Sequence, residues 1–87
     1  MNDLIYRNST EISMAIRDLI DRYWRKETTR EDAMSIVTSI FGKAENRAFV
    51  LRGDCFTVVF QAKLGKRRLQ ELRTFLVQID KEKYSML

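Results

Sequence analysis

The stretch AENRAFVLRGDCFTVVFQAKL, residues 44–64, decides whether this chain is all helical or carries a β-hairpin. Taken as strands, AFVLR (48–52) and CFTVVFQA (55–62) flank Gly53-Asp54, a dipeptide that suits a two-residue hairpin turn. The β-branched and aromatic residues of this stretch also favour strands. This interpretation predicts an α+β fold with a hairpin at residues 48–62.

The same stretch also carries a helical pattern. Asp54 would cap a helix at its amino end, and Gly53 and Gly65 would end successive helices. Four apolar side chains recur at positions i, i+3, i+4 and i+8: Phe56, Val59, Phe60 and Leu64. Taken alone, the local pattern leaves both structures open.

Helical signals are clearer at the amino-terminal end of the chain. Asn8 and Glu11 have the spacing of a capping box and predict a helix over 9–25. One face of this helix is apolar and comprises Ile12, Ala15, Ile16, Leu19, Ile20 and Tyr23.

A second capping box, formed by Thr28 and Glu31, predicts another amphipathic helix after a short polar turn. Gly42 is expected to be the left-handed residue that ends it. The two helices predict a helical hairpin over residues 9–42.

The carboxy-terminal third predicts one long helix over 66–82. Its apolar stripe comprises Leu69, Leu72, Phe75, Leu76 and Ile79. The tail KEKYSML, residues 81–87, lies beyond this stripe, and we expect it to fray.

The length of 87 residues predicts a single domain spanning 1–87 with a small core, so that homodimer formation would add useful buried surface. No apolar run approaches the roughly 18 residues that a membrane span requires. The amino terminus also lacks the layout of a secretory signal. We therefore expect a cytoplasmic protein without a membrane partner.

The residues available for chemistry argue against an enzyme. Histidine is absent, which removes the commonest general base and the commonest metal ligand. Cys55 is the single cysteine and is expected to be a small buried hydrophobe rather than a nucleophile. We therefore expect no catalytic residues, no metal site and no cofactor.

Three stretches carry a resemblance to a known group of proteins: IDRYWRKE (20–27), TTREDA (28–33) and GDCFTVVFQAKLGKRRLQEL (53–72). Over residues 10–78 the chain resembles a small uncharacterised family of Gram-positive bacteria and their prophages and mobile elements, with a carboxy-terminal LGKRRL-type motif. The resemblance implies helix rather than hairpin at residues 56–64. It implies a mobile-element regulator, with no assigned activity, cofactor or partner.

Positive charge is concentrated in the last third of the chain. Residues 1–46 have a net charge of −1 and residues 47–87 a net charge of +5. Five cations lie within 63–73, where Glu71 is the only acidic residue: Lys63, Lys66, Arg67, Arg68 and Arg73. In the helical interpretation, the segment around Gly65 resembles a helix-turn-helix with three of these cations at the start of its second helix.

This cluster, hereafter the basic segment, could contact nucleic-acid phosphates, an acidic partner protein, or only solvent and internal carboxylates. Gln70 and Thr74 are the side chains available near it to contact base edges. Adjacent Tyr23 and Trp24 could anchor a partner protein or stack on bases, or could simply belong to the core.

Together these features predict an all-α, compact bundle of four to five short helices. The function expected first is a non-catalytic regulator that binds nucleic acid through the basic segment. The alternative is a modulator that binds a larger enzyme or host protein through Tyr23 and Trp24, such as a recombination directionality factor or a phage inhibitor.

Overall fold

The computed structural model describes residues 6–53, 55–85 and 87. This part of the chain forms six helices and two very short strands. In chain order they are α1 (Ser9–Trp24), α2 (Arg30–Phe41), α3 (Ala44–Val50), β1 (Leu51–Arg52), β2 (Cys55–Phe56), α4 (Val58–Leu64), α5 (Lys66–Ile79) and α6 (Lys81–Tyr84). The predicted all-α class is confirmed, with six helices where four to five were expected.

Helix α1 begins where its capping box predicts. The Asn8 side chain accepts a hydrogen bond from the Glu11 backbone N–H at 2.9 Å. The Glu11 carboxylate in turn accepts from the Arg7 N–H at 3.1 Å. Of the predicted apolar face, Ala15 and Tyr23 are half-buried. The other four residues are buried: Ile12, Ile16, Leu19 and Ile20.

The turn after α1 contains a non-glycine residue with a positive φ angle, which the sequence did not indicate. Lys26 has φ 62°, and the Glu27 N–H reaches back to the Arg22 carbonyl at 2.9 Å. This is the Schellman geometry, which glycine usually provides. Gly42, the residue predicted to be left-handed, is right-handed at φ −73°. That prediction was wrong because the chain continues almost directly into α3 and needs no reversal there.

Helix α2 is capped one residue later than predicted. The Thr29 hydroxyl, not that of Thr28, accepts a hydrogen bond from the Asp32 N–H at 3.1 Å. The Schellman turn at Lys26 lengthens the connection between α1 and α2, so the residue that caps α2 is Thr29 rather than Thr28. The helical hairpin itself is present, with α1 packed against α2.

Residues 44–64 combine the two structures that the sequence left open. Leu51 pairs with Phe56 and Arg52 with Cys55, forming a minimal antiparallel ladder. The segments before and after it are helical rather than strands. Asp54, proposed as a helix cap, lies outside the described residues, and Thr57 caps α4 by accepting from the Phe60 N–H at 3.2 Å.

Burial explains why α4 is helical despite its β-branched residues. In a strand, Val58 and Phe60 would share one face. In the structure Val58 is 80% exposed and Phe60 is fully buried, while Leu64, four residues on, is buried beside Phe60. Packing of Phe60 and Leu64 against α1 outweighs local propensity, which is a weak determinant in a short segment.

The predicted long carboxy-terminal helix is interrupted. Asp80 is extended at φ −153°, and its side chain accepts from the Lys83 N–H at 3.1 Å to start α6. Tyr84 is buried, with its ring edge on Phe41 at 6.2 Å between centroids. The expectation that residues 81–87 fray was therefore wrong at Tyr84, because this aromatic side chain finds an apolar site on α2.

The buried side chains form one cluster in which α1 contacts α2, α3, α4 and α5. The radius of gyration, 11.9 Å, is close to the roughly 12 Å expected for a compact chain of this length. Gly65 joins α4 directly to α5 at φ 83° and ψ 164°, a conformation that is essentially restricted to glycine. This single-residue link sets the direction of α5 relative to α4 and therefore the positions of the basic residues on these two helices.

Candidate nucleic-acid interface

Helix α5 turns a polar side to solvent. Its apolar stripe, which includes Leu69, Leu72, Phe75 and Leu76, is buried in the core. Five exposed polar residues follow the opposite side, and we call them the α5 face: Lys66, Arg67, Gln70, Thr74 and Gln78. The first two are predicted phosphate contacts, and the next two are the predicted contacts to base edges.

The five cations of the basic segment do not form one cluster. Arg68 is held against α1, where its Nε donates to Asp21 Oδ1 at 2.8 Å and its Nη2 to Oδ2 at 3.1 Å. Its Nη1 also donates to the Leu64 carbonyl at 3.1 Å. Hydrogen bonding by Arg68 lowers the pKa of the Asp21 carboxyl. Arg68 therefore joins α1 to α5 rather than pointing freely outward.

Lys63 on α4 and Arg73 on α5 are half-buried. The Arg73 guanidinium is 5.8 Å from the centroid of the Phe56 ring, and its Nε is buried without a hydrogen-bond partner among the described residues. Arg73 and Lys66 line a shallow depression of about 450 Å³ between α4 and α5. Of the five cations, Lys66 and Arg67 are the exposed ones.

Carboxylates neutralise little of the basic segment. Within residues 6–53, 55–85 and 87, Arg68 is the only one of the five cations that forms an ion pair. Asp21 is itself close to Arg17 and Arg25, both of which contribute to its lowered pKa. Arg25 pairs in turn with Glu27 at 2.7 Å. The surface where α1 meets α5 therefore keeps an excess of positive charge.

Trp24 lies against the α5 face, 40% exposed. The guanidinium carbons of Arg67 and Arg68 lie 5.8 and 6.0 Å from the centroid of its ring. Its indole N–H donates to Glu71 Oε1 at 2.8 Å, which fixes the orientation of the ring. The structure thus brings a predicted partner-binding residue together with two predicted phosphate contacts.

Two surface depressions meet at Trp24 and differ in charge. The larger, about 630 Å³, lies at the α1–α2 turn and is lined by one cation, Lys26, and by three carboxylates, those of Glu27, Asp32 and Glu71. The smaller, about 270 Å³, is lined by Trp24, Arg67, Gln70, Glu71 and Thr74. The smaller depression has one cation, Arg67, which can bind an anionic group, and one carboxylate, that of Glu71, which accepts the hydrogen bond of the Trp24 indole.

Tyr23 does not share the exposure of its neighbour. It is half-buried, with its ring edge on Phe75 at 5.4 Å between centroids. Its hydroxyl accepts from Arg30 Nη1 at 3.1 Å, and the Arg30 guanidinium lies 4.9 Å above the Phe75 ring. Tyr23 therefore packs at the edge of the core.

Sequence reasoning missed several features of this surface. Asp21 and Glu71, which orient Arg68 and Trp24, had no local signal because their partners are 47 residues away in sequence. Cys55 was expected to be buried but is exposed, since β2 places Phe56 toward the core and Cys55 on the opposite side. Strand alternation at a known register would have indicated this.

Two kinds of feature are absent from residues 6–53, 55–85 and 87. No helix there is long and apolar enough to span a bilayer. No group of three or more Cys, Asp or Glu side chains is arranged to hold a metal ion.

Comparison with known proteins finds a matching family for this chain. No curated protein and no solved structure matches it. The sequence profile of a family described as conserved hypothetical protein matches residues 3–75, a span that includes α1 to α4 and most of α5. The chain therefore belongs to this family of conserved hypothetical proteins.

Proposed function

We propose that this protein is a small non-catalytic regulator, encoded by a mobile element or phage, that binds nucleic acid through the α5 face. The observation that carries the proposal is the exposure of Lys66 and Arg67 on the same side as Gln70 and Thr74. Lysine and arginine supply the phosphate contacts that dominate affinity, whereas amide and hydroxyl groups can reach base edges.

The start of α5 adds to this positive surface. Gly65 provides no side-chain cap, and the first turn carries no acidic residue. Cations at this end of a helix oppose its dipole unless an anion is bound nearby. A phosphate group would relieve that repulsion and would also accept from the backbone N–H groups of the first turn. The arrangement is thus unfavourable for the isolated protein and favourable for a complex with a polyanion.

The individual cations have different roles in this proposal. Lys66 and Arg67 contact phosphates directly, Lys63 on α4 and Arg73 on α5 add positive charge nearby, and Arg68 chiefly orients α5 on α1. The absence of histidine from the sequence is consistent with a binding function rather than catalysis.

The salt dependence of DNA binding tests the proposal. Each phosphate neutralised on a duplex contributes about −0.9 to the slope of log K against log salt concentration. We expect the double variant Lys66→Ala/Arg67→Ala to flatten the slope by about 1.8, measured by anisotropy of a labelled duplex. The charge-matched control is Lys81→Ala/Lys83→Ala on α6, which follows the opposite end of α5, about 21 Å along its axis.

The control should keep the wild-type slope. Equal flattening in both double variants would show that only net charge matters, and it would contradict a role for the α5 face. Binding that does not change with salt would contradict phosphate contact altogether.

A protein-binding function is the second candidate, because of an apolar surface on α4. Val58 and Val59 are 80% and 52% exposed, and they line a groove of about 450 Å³ together with Phe49 and Cys55. Exposed apolar patches of this kind often mark protein contacts, with a partner or with a second copy of the chain. Solution mass measured on the wild type and on Val58→Ser would test self-association at this surface.

A further inference from the structure

The indole of Trp24 is held in a fixed orientation on a charged surface. Its N–H is bonded to the carboxylate of Glu71, so little side-chain freedom remains to be lost when a ligand binds. The ring is 40% exposed although it is the largest aromatic group in the chain. A ring that is both exposed and oriented is the usual platform on which an unpaired base stacks.

The groups around Trp24 suit the other parts of a nucleotide. The Arg67 guanidinium carbon lies over the ring, 5.8 Å from its centroid. A base that stacks on this face takes the place of the guanidinium, which can then bind the phosphate of the same nucleotide. Gln70 and Thr74 line the depression of about 270 Å³ beside the ring. The Thr74 hydroxyl donates to the Gln70 carbonyl, which leaves its oxygen free to accept from a base amino group.

We propose that the smaller depression beside Trp24 binds an unpaired nucleotide, with the base stacked on the indole and its phosphate on Arg67. The inference rests on the proposed nucleic-acid function and names its substrate class as single-stranded nucleic acid. Inside a duplex both faces of each base are covered by its neighbours, so an unpaired base presents a face to the indole far more readily than a paired one.

A protein partner fits this surface less well. Aromatic hot spots in protein interfaces lie in apolar pockets that are fully desolvated on binding. Trp24 is bordered instead by Arg67, Arg68 and Glu71, whereas the exposed apolar side chains Val58 and Val59 lie on α4. The charged surroundings therefore favour a nucleotide at Trp24.

Intrinsic fluorescence provides a direct assay because Trp24 is the only tryptophan in the chain. The protein is titrated with a twelve-nucleotide oligothymidylate and with a duplex of equal length, at low salt. Tryptophan emission reports stacking, and anisotropy of the labelled DNA reports binding. We expect the single strand to quench the emission and to bind more tightly, and the duplex to bind without quenching.

Two variants separate stacking from charge. Trp24→Ala should weaken binding of the single strand about 5- to 100-fold, the loss that removing one stacking aromatic produces, and should change duplex binding less than about two-fold. Trp24→Phe retains an aromatic face and should keep most of the affinity. Circular dichroism and thermal melting establish whether each variant is folded. If Trp24→Ala does not fold, the affinity of Trp24→Phe and the quenching of the wild-type protein test the stacking site instead.

The outcomes distinguish the two proposals. Equal binding of single strand and duplex without quenching would overturn the stacking site and leave the phosphate-binding function standing. Binding of neither DNA would overturn both. Quenching by polyglutamate but not by the oligonucleotide would overturn both in favour of an acidic protein partner.

Discussion

Replacing Arg68 by alanine should lower the free energy of unfolding by about 2 kcal/mol, although Arg68 lies in a surface cluster of cations. Its two hydrogen bonds to Asp21 form a bidentate pair between α5 and α1. Both side chains are only 26% exposed. We therefore expect the pair to contribute about 1 kcal/mol to the free energy of unfolding, which is near the upper end of the range for surface ion pairs. The third hydrogen bond, to the Leu64 carbonyl, adds about 1 kcal/mol.

Denaturant unfolding monitored by circular dichroism measures this effect. In a domain of this size, a loss of about 2 kcal/mol lowers the melting temperature by about 8–16 °C. Arg67→Ala is the matched control, because the neighbouring Arg67 is exposed and forms no ion pair in the part of the chain that the structure describes. We expect the free energy of unfolding of Arg67→Ala to lie within about 0.5 kcal/mol of the wild-type value.

A double-mutant cycle with Asp21→Ala isolates the pair itself and should give a coupling energy of about 1 kcal/mol. The pH dependence follows from the lowered pKa of Asp21. The stabilisation is complete above the unfolded-state pKa of about 4, and it is lost as the pH falls through the lower folded-state pKa. The stability difference between wild type and Asp21→Asn should therefore stay constant from about pH 7 to 5 and shrink below about pH 4.

A coupling energy below about 0.3 kcal/mol would refute this account of Arg68. So would an Arg68→Ala variant as stable as Arg67→Ala. Either result would show that the pair with Asp21 contributes little to stability, so that Arg68 would be available, like Lys66 and Arg67, to contact a phosphate.

Three further predictions test the connections of the fold, each by denaturant unfolding. Gly65→Ala should cost about 1–3 kcal/mol from backbone strain alone, because no atom lies within 4 Å of the added Cβ; a neutral result would contradict the φ of 83°. Thr57→Ala should cost about 1 kcal/mol through loss of the α4 cap, whereas Thr57→Ser should retain most of the stability, and equal losses would argue against a capping hydroxyl. Tyr84→Ala should cost about 3 kcal/mol by emptying the site against Phe41, and Tyr84→Phe should be nearly neutral; if the alanine variant is also neutral, α6 does not pack as described.

Exposure and pairing decide which cations can bind a polyanion. Lys66 and Arg67 reach solvent, Arg68 is bonded to Asp21, and Arg73 lies over Phe56. The proposed phosphate-binding function therefore depends on two exposed cations, and the proposed stacking site depends on Trp24 beside them. The salt dependence of duplex binding tests the cations, and quenching by a single strand tests the tryptophan.

Local sequence by itself determined the helices that have both a boundary residue, a cap or a glycine, and an apolar stripe. Asn8 and Glu11 predicted the start of α1, and the leucines and Phe75 predicted the buried side of α5. Gly65 was correctly expected at a helix boundary, since its conformation is closed to residues with a Cβ. These signals act within one or two turns of helix, so they can be recognised without knowledge of the fold.

Tertiary structure decided the rest. Residues 44–64 became two helices around a minimal ladder because Phe60 and Leu64 pack on α1, which no local pattern specifies. The charges of the basic segment were evident in the sequence, but their separation was not. Arg68 is paired and Trp24 is oriented by residues 47 positions away, and such contacts exist only after α1 and α5 have packed together.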